Sequence, residues 1–185
     1  LETLPAGSTI ITDPLWEGGA LIARQLLRTC GREPDQFTFI ESTLAEWDEH
    51  ARRENVKAAV FAVPAGNKEI SRIMGGGHYR LASFPLERIG AAIENQPYFL
   101  PYKILPDTYP RQKGQVYTMA VKNVLMVRID YPIEKVEELC KIIFNRLHEY
   151  GLKEKKAPGL AKALEGVSIP FQQGALRFYQ SRCGF

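Results

Sequence analysis

Two stretches of the chain combine the residue types that a ligand-binding turn needs. The first is Asp13-Pro14-Leu15-Trp16-Glu17-Gly18-Gly19, which follows a β-branched run and precedes helix-spaced apolar residues. A strand-to-helix turn in an α/β sheet exposes backbone N–H groups and the positive end of the helix. Gly18 and Gly19 allow a ligand to approach closely, and Trp16 offers a face for stacking. Glu17 opposes a bound anion, although it also suits the first turn of the helix. The same residues serve equally as a plain structural turn, and both readings stay open. The second stretch is the aromatic cluster Tyr98, Phe99, Tyr102 and Tyr109. It reads as the packing of a hinge or as a cleft wall, where a phenol presents an apolar face and one hydrogen bond to a small solute. The two roles are compatible.

Other chemistries find little support. Cys30, Cys140 and Cys183 lie far apart with no C-x-x-C pair, and His50, His78 and His148 form no H-x-x-x-H. These spacings argue against a zinc ribbon or a thioredoxin-type site, so no metal and no cofactor is expected, and the thiols read as small buried hydrophobes. Gly75-Gly76-Gly77 lacks the Gly-Lys-Ser/Thr ending of a phosphate loop and follows a helical pattern, so it reads as a helix stop. No G-x-S-x-G elbow occurs. Asp13, Glu17, Glu41 and Asp107 are available as acid/base groups, but nothing in their spacing pairs them. No nucleophile or metal constellation stands out, and an enzyme is not expected.

Alternating strand and helix patterns must position these residues. Strands are expected at 8–12, 37–40, 58–63 and 79–84, with a longer strand or strand pair at 118–129. Helices are expected at 20–27, 43–54, 67–74, 86–94, 134–150, 159–164 and 174–182. Thr43 with Glu46 gives a capping-box pattern. The run Ala58–Val63 reads as a buried parallel strand. Four prolines and three tyrosines between 96 and 115 forbid a helix there and indicate an ordered extended connection. Lys153 to Lys156 reads as a solvated loop. The alternation implies an α/β fold with a largely parallel sheet.

The 185 residues fit one domain or two small lobes. With 45% hydrophobic and 24% charged residues, the composition is that of a globular chain, not a disordered one. The net charge of +3, from 24 basic and 21 acidic side chains, is too balanced to suggest nucleic acid or an anionic membrane surface as partner.

The order of these motifs resembles the TAXI family, the extracytoplasmic solute receptors of TRAP transporters. Leu105-Pro106-Asp107-Thr108-Tyr109-Pro110, followed by the run from Val116 to Arg128, is similar to that family's "IPAGTYPG…V.T.AV…L..R" segment. Val63-Pro64 with Asn67 is similar to its "DA.F...G.P...I" segment, and Pro170 to Tyr179 to its "P.HPGA.RYY" close. The resemblance implies a type II periplasmic binding protein fold, with one complete lobe (1–103) and a hinge plus part of the other lobe (104–185). It also implies an extracytoplasmic receptor for a small carboxylate or amino-acid-like solute, docking on a TRAP-type membrane permease, with closure about a hinge near Tyr102 and Leu105. On this reading the cleft candidates are Trp16, Gly18, Gly19, Pro64, Asn67 and Tyr109. Two departures stand out. A leading segment of the family lies outside this chain, so a C-terminal portion and its self-association are expected. The family's Gly-Ser-Gly-Thr turn is replaced by Pro14–Gly19. That replacement motivates an alternative: a sensory or protein-interaction module, membrane-anchored through a missing N-terminal segment.

Overall fold

A computed structural model describes residues 1–14, 18–53, 55–94, 96–146 and 163–183 of the chain. It divides into two compact units, Leu1–Val121 and Lys122–Phe185.

The first unit is built on a three-stranded parallel sheet of β1 (Thr9–Thr12), β2 (Thr38–Glu41) and β3 (Val56–Val60), in the order β2-β1-β3. The central strand β1 is buried along its whole length. Its sequence Thr-Ile-Ile-Thr is β-branched throughout, as a strand covered on both faces should be. The apolar run at 58–63, expected to be the buried strand, instead supplies the half-buried edge strand β3, and the ladder ends at Val60.

Helix α1 (Gly19–Thr29) connects β1 to β2 and carries two apolar faces. Leu27 packs with Ile10 and Phe37 under the sheet. Ile22 and Leu26 join Phe84, Ile89, Ala92, Phe99 and Met119 in a larger cluster. That cluster gathers α4 (Leu86–Glu94) and an antiparallel pair, β4 (Phe99–Ile104) with β5 (Val116–Val121). Pro101 is tolerated in β4 because a strand in a two-stranded pair has one free edge. The expected boundary at 103/104 falls inside this hairpin, and the compact unit continues to Val121.

Three expectations fail for identifiable reasons. Residues 79–84 form no strand: only the Phe84 N–H reaches a β5 carbonyl (Tyr117, 3.0 Å), and the Ser83 hydroxyl accepts the Tyr117 N–H in place of a backbone carbonyl. Pro85 then ends any ladder. Residues 122–129 have strand character but lie outside both sheets. Helix α2 is only Trp47–Ala51. The Glu46 carboxylate accepts from both the N–H and the hydroxyl of Thr43, each at 3.0 Å, so one half of the capping box forms. Trp47, on a stretch that reads as polar, is buried edge-on against Phe61 and Tyr79.

In the second unit, α5 (Ile133–Asn145) and α6 (Gln173–Cys183) pack through Val136 and Phe178, with Phe144 stacked on Phe178 at 5.3 Å. Gly174 permits this approach, because a Cβ there would stand 2.1 Å from the Ile133 carbonyl oxygen. The expected basic loop at 153–156 and most of the helix at 159–164 lie outside the described residues. Cys30 and Cys140 are free thiols, and burial pushes both above the ordinary thiol range. The side chain of Cys183 lies outside the described set. Among the described residues, no helix is long and apolar enough to cross a membrane.

Candidate functional site

The carboxyl ends of the parallel strands are where ligands enter such sheets, because the βα turns and helix N-termini converge there. β1 ends at Thr12, and the next residue, Asp13, is 1% exposed. Its Oδ2 accepts the Ala62 N–H at 2.7 Å, which ties the β1 end to the β3 end. Among the described residues its Oδ1 meets no hydrogen-bond partner, nor does the buried Thr12 Oγ1. Asp13 Oδ1 lies against Gly19, the first residue of α1, where a Cβ would stand 1.8 Å from it and 2.8 Å from the Val60 carbonyl oxygen. Only glycine fits between the helix start, the carboxylate and the β3 end. Gly18, the residue before the helix, has φ 92°, in the left-handed region.

Beyond β3 the chain makes a tight turn from Pro64 to Asn67, closed by the Asn67 N–H on the Pro64 carbonyl at 3.2 Å, with φ 81° at Gly66. Asn67 then caps helix α3 (Lys68–Gly75). Its Oδ1 accepts the N–H groups of Glu69 and Ile70 at 2.8 and 3.2 Å. The Gly66 N–H donates to the Tyr109 hydroxyl oxygen at 2.9 Å. That phenol is 5% exposed and arrives from the long β4–β5 connection. Its own O–H proton remains available as a donor.

Gln112 shapes this connection from inside. Its Nε2 donates to the carbonyls of Leu105 (2.9 Å) and Gly114 (2.8 Å), and its Oε1 accepts the Tyr109 N–H (3.2 Å). Its backbone carbonyl accepts the Asp107 N–H at 3.0 Å. The tight closure holds Asp107 at φ 57° and Arg111 at φ 65°.

The structure therefore brings together Pro64, Asn67 and Tyr109 through Gly66, and places Gly18 and Gly19 at the start of α1. Pro64 is exposed, and the Asn67 amide oxygen serves the helix end. Trp16 and Glu17 lie outside the described residues. Of the remaining carboxylates, Glu41 is exposed and Asp107 faces Lys113 at 3.4 Å on the surface. Three contributors were not among the expected site residues. Asp13 was legible as a carboxylate directly after a strand. Gly66 carries the signal of Pro-x-Gly turn chemistry. For Gln112 no sequence signal points to its role.

Among the described residues, no group of three His, Cys, Asp or Glu side chains is placed to hold a metal ion. The profile of the NMT1-like family matches residues 15–182, most of the chain. No curated protein matches.

Proposed function

The chain belongs to the NMT1-like family, whose members are periplasmic binding protein-like and related to the TRAP solute receptors, and from that premise we propose that it is an extracytoplasmic solute receptor of the TAXI type. It binds a small carboxylate or amino-acid-like solute, catalyses no reaction, and hands the solute to a membrane permease of the TRAP kind. The observation that carries this reading is the Tyr109–Gly66 hydrogen bond. It draws a distant loop onto the β3–α3 turn, so that backbone amides, glycines and a phenol meet beside the strand ends. Such a setting suits a small polar solute.

A thermal-shift panel of carboxylates and amino acids tests the proposal. A ligand at 100 times its dissociation constant should stabilise the protein by about 2.7 kcal/mol. Tyr109→Phe should weaken that response, since it removes the hydroxyl. A folded protein that no member of the panel stabilises would sink the receptor reading.

One observation favours a second reading, a membrane-anchored sensory or protein-interaction module. Val124, Leu125, Met126, Ile129 and Tyr131 are exposed in one short stretch, Met126 and Ile129 at 76% and 98%, a surface suited to a protein partner. A permease gene beside this one favours transport, and a fused signalling segment favours the module.

A further inference from the structure

Helix α3 is fastened differently from the rest of the first unit. It has one buried residue, Met74, whereas α1 has six, and Met74 belongs to neither core cluster. Its turn and cap bonds close within residues 64–77. Asn67 closes the turn onto Pro64 and caps the helix start, and the Gly76 and Gly77 N–H groups donate to the Ile73 and Met74 carbonyls at 3.3 and 3.1 Å. Among the described residues, two hydrogen bonds leave this segment. One runs from the Gly66 N–H to the Tyr109 hydroxyl oxygen at 2.9 Å. The other runs from Arg72 Nη1 to Asp48 Oδ2 at 2.8 Å, an exposed pair of the kind that contributes little. A glycine in the left-handed region stands at each end, Gly66 with φ 81° and Gly77 with φ 78°. Such residues can absorb the change in backbone angles that a hinge requires. Tyr109 itself is held still, since Gln112 accepts its N–H and ties the connection on both sides.

We propose that residues 66–77 open as one body from the β4–β5 connection, with Gly66 and Gly77 as the hinges and the Tyr109 phenol as the latch. A segment with so little buried apolar surface opens at lower cost than the unit unfolds. The moving body keeps its own hydrogen bonds, so opening costs the latch, the surface pair and the cover over Met74. It also frees the Gly66 N–H and the phenol beside the end of β3, the two groups on which the receptor reading relies.

The three methionines of the chain report on this opening without any label. Met74 and Met119 are 5% and 6% exposed, so a static molecule protects them equally, and Met126 at 76% marks the unprotected rate. Peroxide converts an accessible methionine to its sulfoxide, and peptide mass spectrometry of the treated whole chain gives the rate at each site. The expected result is oxidation of Met74 at least roughly tenfold faster than that of Met119. Tyr109→Phe should raise the Met74 rate about fivefold, the weight of one hydrogen bond, and leave the Met119 rate unchanged. Equal rates at Met74 and Met119 in the wild-type protein would overturn the inference, and that comparison needs no variant. A Tyr109→Phe protein in which both sites accelerate alike, or neither does, would overturn the latch. No solute enters the experiment, so its failure leaves the receptor reading standing, and a protein that no solute stabilises leaves this inference standing.

Discussion

Arg111 holds a backbone conformation that L-residues avoid, with φ 65°. A left-handed residue other than glycine costs roughly 1–2 kcal/mol, and the greater freedom of glycine in the unfolded chain offsets part of this. Arg111→Gly should therefore raise stability by about 1 kcal/mol, seen as a melting point higher by about 2–4 °C. An unchanged or lower midpoint would show that the guanidinium, which packs against Gly77, contributes more than the strain costs. Glu46 makes a pH-dependent prediction. Its carboxyl lies below the ordinary range because it accepts first the Thr43 N–H and then the Thr43 hydroxyl. A depressed folded-state value means that the contribution is present above the ordinary glutamate range and is lost as pH falls through the folded value. The Thr43 amide shift should titrate with a midpoint below that of an ordinary glutamate, and Glu46→Gln should abolish the titration.

Among the elements, helices were more legible than strands. The 3- and 4-residue spacing of Ile22, Leu26 and Leu27, or of Val136, Ile143 and Phe144, reports a buried face directly. Strand character at 79–84 and 122–129 reports only side-chain preference, whereas a strand exists only where a ladder partner stands beside it. Ser83 shows the difference, since its hydroxyl stands in for the missing backbone acceptor. Of the candidate site, the turns were visible from Pro, Gly and Asn, but the Asp13–Ala62 and Tyr109–Gly66 bonds join segments too distant for local pattern to reveal. Two glycines give opposite expectations. Gly90, inside α4, has open space where a Cβ would go, so Gly90→Ala should stabilise by about 1 kcal/mol through helix propensity. In Gly174→Ala the methyl group would meet the backbone of α5 at Ile133 and Glu137. The clash outweighs the propensity gain and should cost about 1–3 kcal/mol. Chemical denaturation of the two variants checks both signs.

At the scale of the whole molecule, the chain is two compact units, and the second exposes the apolar run Val124-Leu125-Met126, with Ile129 nearby. Self-association through this run should appear in light scattering as a mass that rises with concentration, and Leu125→Lys with Met126→Lys should return it to that of a single chain. A wild-type monomer at high concentration would contradict the expectation. The Gln112 clasp carries a different kind of consequence. It binds the β4–β5 connection to itself through carbonyls at both ends, so the disorder of a long loop is given up during folding and not during capture of a solute. Solute release should then leave the Tyr109 amide as slow to exchange with heavy water as before. The loop acts as a fixed jaw, and whatever closing occurs must come from elsewhere in the protein.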